Sequence, residues 1–332
     1  MAQKIRWGLL GAGKIVNRWM RGALQPQDME ITAVASRTCE TAETVAKTWN
    51  IPRVMTYDEM LEADDIDVVY IPVPHTAHKE LALRALRAKK AVLVEKPAAV
   101  NAGEWAEMVT CARENHTFLM EAYWTRFFPA MAFVRKTIAE GAIGEVRVIQ
   151  ANFSSHGTRN PASRLWNPET AGGGLLDIGV YNLQFARLIY DRAPVSLIGS
   201  ANIAGGVDEQ EAYIAHYDRG ELAIMASGLN VAMDDTARIY GTEGQIILPV
   251  HWKNTSVTVA RGRERKTYDF PVPQNVAGIA DEGFQYEVAH VNECLRQGLI
   301  ESPEQTHAIT AEILEQCDTL RRQWGLVYPC EK

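Results

Sequence analysis

The chain has 332 residues and sets 34 Lys and Arg against 41 Asp and Glu, a formal net charge of -7. That length favours about two domains, because single cores rarely grow beyond roughly 250 to 300 residues, and 47% hydrophobic with 23% charged residues excludes a mainly disordered, collagenous or coiled-coil chain. The acidic balance argues against nucleic-acid binding, no apolar run reaches the ~18 residues of a membrane span, and the polar start Met1-Ala2-Gln3-Lys4 lacks a signal-peptide pattern, so a cytoplasmic protein is expected.

Ile5 to Leu10 reads as a strand that ends in Gly11-Ala12-Gly13 and leads into a helix from about Lys14 to Leu24. A strand, a glycine turn and a helix in that order let backbone amides and the helix dipole meet a dinucleotide pyrophosphate, the glycines permitting close approach. The match is partial, because Val16 stands where the third glycine of the usual pattern would be. A second strand, Ile31 to Ser36, is followed by Arg37 and Thr38, where an NAD-selecting site usually places an acidic residue. Arginine beside small hydroxyl residues favours a 2'-phosphate, so NADP is the expected cofactor and NAD the alternative.

A helix-like stretch through Ala42, Val45, Ala46 and Trp49 precedes the strand Asp67 to Pro72. A helix carrying Leu81, Leu83, Ala85 and Leu86 and a strand from Ala91 to Val94 follow. Nearly unbroken apolar strands alternating with helices indicate a doubly wound parallel sheet. Glu95-Lys96-Pro97 then emerges at the carboxyl edge, where ligands of such sheets bind. His75 and His78 have the spacing of a metal pair, but no nearby Cys, Asp or Glu completes a familiar set, so no metal is expected.

Asn101 and Glu104 form a capping box at the start of the next helix, and past Phe118-Leu119-Met120 the grammar changes. Strand-length segments follow at 146–151, 197–200, 212–217, 222–226, 238–240 and 245–248. The short links 218–221 and 241–244 suit hairpins, so a largely antiparallel sheet is expected. Two apolar helical stretches close the chain, one around Val288, Val291 and Leu295, the other from about Thr306 to Trp324. The five cysteines are scattered and form no C-x-x-C pair, which suggests neither a disulfide framework nor a zinc site. In Gly172-Gly173-Gly174-Leu175-Leu176-Asp177-Ile178-Gly179-Val180-Tyr181, polar groups stand inside an apolar, glycine-rich stretch. If 175–188 is helical, Asp177 and Tyr181 at i, i+4 project from one face.

Through Gly11-Ala12-Gly13, the histidine before the fourth helix, Glu95-Lys96-Pro97 and Gly172-Gly173-Gly174 with Asp177, the sequence resembles the glucose-fructose oxidoreductase and inositol dehydrogenase (Gfo/Idh/MocA) family. It is most similar to the branch of dimeric dihydrodiol dehydrogenases, also described as NADP-dependent D-xylose dehydrogenases, through the stretch Phe118 to Ala130. The similarity extends from the first strand to the last helix.

The resemblance implies a Rossmann domain over 1–121 and an α+β domain over 122–332, the latter carrying a large open, mainly antiparallel sheet for substrate binding and dimerisation. The last helix is free in this scheme to pack back on the first domain, and the active site lies between the two. Cofactor contacts are then expected from Gly11, Gly13, Lys14, Ile15, Ser36, Arg37, Pro72, His75, His78, Glu95 and Lys96. Lys96 and Tyr181 serve proton transfer or polarisation with Asp177 nearby, although many relatives have histidine where this chain has Tyr181. Trp124, Phe153 and Trp252, with Asp177, match positions that line the branch's substrate pocket. Residues 274–284 and 154–166 depart from the branch, so the identity of the substrate does not carry over with the fold.

The expected activity is hydride transfer between nicotinamide and a hydroxyl-bearing carbon of a cyclic diol, a sugar such as D-xylose, or a cyclitol. The alternatives are a dehydrogenase or reductase of another sugar, inositol or anhydrosugar, and a non-catalytic NAD(P)-sensing regulator. A homodimer through the second sheet is expected, because strands such as Ile246-Ile247-Leu248 are apolar on both faces.

Overall fold

The computed structural model describes residues 4–23, 28–273 and 282–332, which form two compact units. The first comprises Met1–Trp124 and Val272–Ala311, the second Thr125–Pro271 and Glu312–Lys332.

In the first unit, strands β1 (Ile5–Leu10), β2 (Met29–Ala35), β3 (Val54–Met55), β4 (Val68–Ile71), β5 (Ala91–Glu95) and β6 (Leu119–Ala122) lie in the order β3-β2-β1-β4-β5-β6, every neighbouring pair parallel. The connecting helices are α1 (Val16–Ala23), α2 (Cys39–Trp49), α3 (Tyr57–Glu62), α4 (His78–Arg87) and α5 (Ala102–Asn115). Both faces of the sheet are covered, which is why β4 and β5 are buried along their whole length and read as continuous apolar runs. The strand order reverses between β1 and β4, and the carboxyl ends beside such a reversal are where doubly wound sheets bind ligands. At the start of α5 the Asn101 side chain accepts from the Glu104 N–H at 2.9 Å, and the Glu104 carboxylate accepts from the Val100 N–H at 3.0 Å.

Two boundaries differ from the sequence reading. Helix α1 begins at Val16 because the Val16 N–H turns back to the Gly13 carbonyl at 3.0 Å, leaving Lys14 and Ile15 in the turn. Leu24 lies outside the described residues. Helix α3 is not read from the sequence, being one and a half turns held by a full capping box of Thr56 and Glu59.

In the second unit, β7 (Val146–Ser154), β8 (Ser196–Ala204), β9 (Val207–His216), β10 (Leu222–Gly228), β11 (Ala237–Gly241), β12 (Gln245–Leu248), β13 (Ser256–Arg261) and β14 (Glu264–Asp269) form one open sheet in the order β14-β13-β12-β11-β7-β10-β9-β8. It is antiparallel except where β7 and β10 run parallel. Helices α6 (Pro129–Ala139) and α7 (Val180–Tyr190) belong to this unit. The edge strand β14 escapes sequence reading because it is nearly all polar and exposed, with no apolar alternation, as suits an edge guarded by charge. The outward apolar positions lie on β8, β9 and β10, where Ile198, Ile214 and Ile224 are 63%, 42% and 40% exposed, whereas Ile246 and Leu248 on β12 point into the core.

The units do not follow a single cut after residue 121, since Val272–Ala311 groups with the first unit. Helix α8 (Gln285–Arg296) supplies Asn292, whose Oδ1 accepts from Trp7 Nε1 at 3.0 Å. Gln305 Nε2 donates to Glu121 Oε2 at 3.0 Å, and the His307 carbonyl accepts from Trp105 Nε1 at 2.9 Å. These bonds join residues 184 to 285 positions apart, beyond the reach of local pattern. The last helix, α9 (His307–Trp324), begins in the first unit and continues into the second. Among the described residues no helix is long and apolar enough to cross a membrane.

Candidate active site

The nucleotide edge of the first unit is built on close backbone approach. Gly11 has φ +142, and a Cβ placed there would lie 2.6 Å from Val73 Cγ1. A Cβ at Gly13 would lie 2.2 Å from the Pro72 carbonyl oxygen, so only glycine lets the turn sit against the end of β4. Strand β2 ends at Ala35; Ser36 is half-buried and Arg37 exposed, and Ser36-Arg37-Thr38 contains no carboxylate. Together the bare backbone turn, the helix that follows it and the exposed guanidinium fit a nicotinamide dinucleotide, with Arg37 suited to a 2'-phosphate.

Glu95, Lys96 and the two histidines surround the carboxyl end of β5. Glu95 is buried, accepting from the Tyr70 hydroxyl at one oxygen and from the Lys96 N–H at the other, 3.1 Å away. Tyr70 is stacked on Trp19, ring centroids 4.3 Å apart. Lys96 is half-buried. His78 is fully buried, its Nδ1 2.9 Å from the Pro97 carbonyl and its Nε2 2.9 Å from the Val73 carbonyl. It therefore ties the loop after β4 to the loop after β5. His75 is also buried, 5.8 Å from His78 between ring centroids. Sequence reasoning missed Tyr70 and Glu287. The latter is a fully buried carboxyl on α8, pushed well above the usual carboxylate range by burial and then by the charge of Glu95.

In the second unit the Gly172-Gly173-Gly174 run enters a π-helical turn, Leu175–Gly179, which continues directly into α7. Asp177 sits within the turn and Tyr181 is the second residue of the helix, both largely buried. Arg164 Nη2 donates to Asp177 Oδ1 at 2.7 Å, a partner that sequence reasoning did not name because it comes from the divergent 154–166 segment. Phe153, at the end of β7, meets the Tyr181 ring edge to face at 5.2 Å and stacks on Trp252 at 5.1 Å with the planes 4° apart. Trp252 is fixed by Nε1 donating to Asp235 Oδ2 at 2.9 Å. Behind this wall His251 is buried with Nε2 3.1 Å from the Asn152 carbonyl, and burial lowers its pKa to about 4, so it stays neutral at neutral pH.

Of the expected substrate residues, Phe153, Trp252 and Asp177 thus lie in the second unit with Tyr181. Trp124 belongs to the first, where it is buried and stacked on Phe284 with ring centroids 4.2 Å apart. Residues 274–281, where the correspondence with the resembled branch blurs, lie outside the described residues.

This combination of a dinucleotide-binding unit and an aromatic, tyrosine-bearing unit agrees with the comparisons to known proteins. Residues 5–123 match the model of the oxidoreductase family with an NAD-binding Rossmann fold, and residues 131–247 match the Gfo/Idh/MocA C-terminal domain. The chain belongs to the Gfo/Idh/MocA oxidoreductase family, and its cofactor is a nicotinamide dinucleotide. It is 36% identical to the trans-1,2-dihydrobenzene-1,2-diol dehydrogenase of Mus musculus, with 99% of each chain covered, and 36% identical to that of Xenopus laevis, with 98% and 99% covered. Among solved structures it resembles a 3-ketoreductase from Actinomadura kijaniata in complex with NADP and TDP-benzene, with a TM-score of 0.85 and 25% identity over 96% of this chain and 98% of that one. The fold is shared with an aldose-aldose oxidoreductase from Caulobacter crescentus, with a TM-score of 0.86 and 24% identity over 96% and 97% of the two chains.

Proposed function

We propose that this chain is a cytoplasmic, NADP-dependent dehydrogenase or reductase that interconverts a hydroxyl and a carbonyl on a cyclic diol, a sugar or a cyclitol, with trans-dihydrodiols and D-xylose-like sugars as the first candidates. The observation that carries this reading is the Phe153–Trp252 wall meeting the Tyr181 ring, with Asp177 four residues earlier in the π-helical turn that leads into the helix of Tyr181. Aromatic faces cover the apolar face of a ring, while a few directed polar groups fix its hydroxyls. The curated relatives, named for a cyclic dihydrodiol, and the ketoreductase solved with NADP support the same chemistry.

When bound, the nicotinamide gives or takes the hydride. The chain's own residues handle the charge and proton on the substrate oxygen. Lys96 Nζ and the Tyr181 hydroxyl are the assigned groups, one stabilising the developing negative charge and the other carrying the proton. A free phenol has a pKa near 10 and needs a neighbouring cation to act as a base at neutral pH. Asp177, held by Arg164, accepts from a substrate hydroxyl and fixes the ring's orientation. Arg37 pairs with the 2'-phosphate through parallel hydrogen bonds that a ribose hydroxyl does not reproduce. Gly11, Gly13, Lys14, Ile15, Ser36, Pro72, His75, His78 and Glu95 complete the assigned cofactor contacts.

Incubating the purified protein with NADP or NAD and a panel of dihydrodiols, aldoses and cyclitols, while following the absorbance of the reduced cofactor, tests the reading directly. Turnover of a cyclic diol or sugar with NADP is expected; cofactor binding without turnover of any of them would favour a sensor. The homodimer belongs to the same proposal: Ile198, Ile214 and Ile224 make an exposed apolar strip on the outer face of β8, β9 and β10. Light scattering at micromolar concentration is expected to give twice the chain mass, and a monomer would remove the assignment.

A further inference from the structure

Behind the turn that carries Asp177, two acids are buried where the sequence pattern would not put them together. Asp208 is fully buried and Glu211 is 5% exposed, both on β9. Alternation would send residues three apart to opposite faces of a strand. The pairing of β8 with β9 slips between Asn202 and Ile203, so that Gln210 and Asp208 oppose neighbouring residues and Glu209 is extra. That bulge turns Asp208 and Glu211 inward together.

The two carboxyls lie close enough to perturb each other, and each accepts a hydrogen bond from elsewhere. Asp208 Oδ2 accepts from the Leu175 N–H at 2.5 Å, the first residue of the π-helical turn. Glu211 Oε1 accepts from the Ser227 hydroxyl. The remaining oxygens, Asp208 Oδ1 and Glu211 Oε2, find no donor among the described residues. Two carboxylates are acceptors only, so a bond between them requires a proton on one.

The glycines are cut to this pair. A Cβ at Gly173, where φ is +123, would lie 2.0 Å from Asp208 Oδ1, and one at Gly174 would lie 2.6 Å from Glu211 Oε2. The Tyr213 hydroxyl holds the far end of the turn through the Gly179 carbonyl at 2.9 Å.

We infer that Asp208 and Glu211 share a single proton and act together as the positioning residues of the turn that sets Asp177 and Tyr181, a role that rests on the functional reading above. Burial raises both carboxyls above their ordinary range, and the charge of Asp208 adds to the rise at Glu211. The other groups facing the pair do not replace the proton. Arg321 of α9 is committed to Glu331 at 2.6 Å and to Asp318 at 2.8 Å, and the Tyr328 hydroxyl donates to the Gly172 carbonyl at 2.7 Å. Tyr213 is itself pushed up by burial and by Glu211, and so stays a neutral phenol.

A carboxyl raised in the folded state contributes stability that is complete below its unfolded pKa and is lost as pH rises through the folded value. Loss of the shared proton at alkaline pH is therefore expected to loosen the turn and lower turnover. In E211Q the amide donates to Asp208 with no proton to lose. The ratio of its kcat to the parental kcat is expected to climb about fivefold between about pH 6 and pH 9, with KM for NADP unchanged and a flatter fall in thermal midpoint. D208A, which removes the acceptor of the Leu175 N–H, is expected to lower kcat about tenfold and speed hydrogen exchange at Leu175, and D208N to restore most of both.

Parallel pH profiles for E211Q and the parent would overturn the shared proton, and unchanged exchange at Leu175 in D208A would overturn the positioning role. If D208A does not fold, the infrared spectrum of the unsubstituted protein decides. A protonated-carboxyl band persisting at about pH 8 and weakened in E211Q supports the pair, and an identical band in both rejects it. Exchange and infrared data do not depend on turnover. A fully active Y181F would therefore sink the catalytic reading while leaving the shared proton standing.

Discussion

Each unit of the molecule contains a glycine-rich turn between a strand or loop and a helix, and the two turns need glycine for different reasons. At Gly11-Ala12-Gly13 the neighbours are main chain and a valine methyl: a Cβ at Gly13 would sit 2.2 Å from the Pro72 carbonyl oxygen. At Gly172-Gly173-Gly174 the space next to Gly173 and Gly174 is filled by the carboxyl groups of Asp208 and Glu211, and Gly173 also takes a positive φ that L residues avoid. The first turn leaves its backbone open for a ligand's phosphates; the second closes its backbone over buried acids and projects side chains instead. A glycine run in a sequence therefore marks close approach, and what approaches has to come from the fold.

The sharpest way to break this comparison is to add one methyl group to each turn. Gly173→Ala is expected to destabilise the protein by about 3 kcal/mol or more, since it combines a strained φ with a clash inside a packed, charged site. Gly13→Ala is expected to leave the protein folded and weaken NADP binding about tenfold or more, because the turn must retreat from Pro72 to make room. Thermal unfolding alongside cofactor titration checks both, and equal stability losses in the two variants would erase the distinction.

Catalysis probes one residue from each unit. Lys96→Met and Tyr181→Phe are each expected to lower kcat on the order of 100-fold while leaving NADP affinity nearly intact. Parental turnover in both, with the best substrate found, would remove the proposed proton-handling groups and favour a cofactor sensor. Arg37→Ala is expected to weaken NADP binding roughly 10-fold to 100-fold with little change for NAD, the range of a charge-assisted hydrogen bond. Equal affinity of the unsubstituted protein for both cofactors would count against the assignment.

The smallest effect is expected at the aromatic wall. Trp252→Ala removes the ring stacked on Phe153 and is expected to change kcat/KM among cyclic substrates by about 10-fold, reordering them while the protein stays folded. An unaltered ranking with normal thermal stability would take Trp252 out of the substrate's surroundings.

The sequence by itself determined the parallel sheet of the first unit, because strands buried on both faces, such as β4 and β5, must be apolar throughout, and that signal is local. It likewise determined the turn at Gly11 to Gly13, the arginine just past the end of β2, and the Asp177–Tyr181 spacing, all set by residues within a few positions of each other. The tertiary structure alone decided that Val272–Ala311 joins the first unit, since Trp7, Trp105 and Glu121 find their hydrogen-bond partners far along the chain. It also decided that His78 bridges two loops, that Arg164 holds Asp177, and that a bulge in β9 brings Asp208 and Glu211 to one face. Each of these rests on a partner that no periodicity specifies: a charged or polar residue in sequence reads as exposed until the fold supplies the group that offsets the cost of its burial.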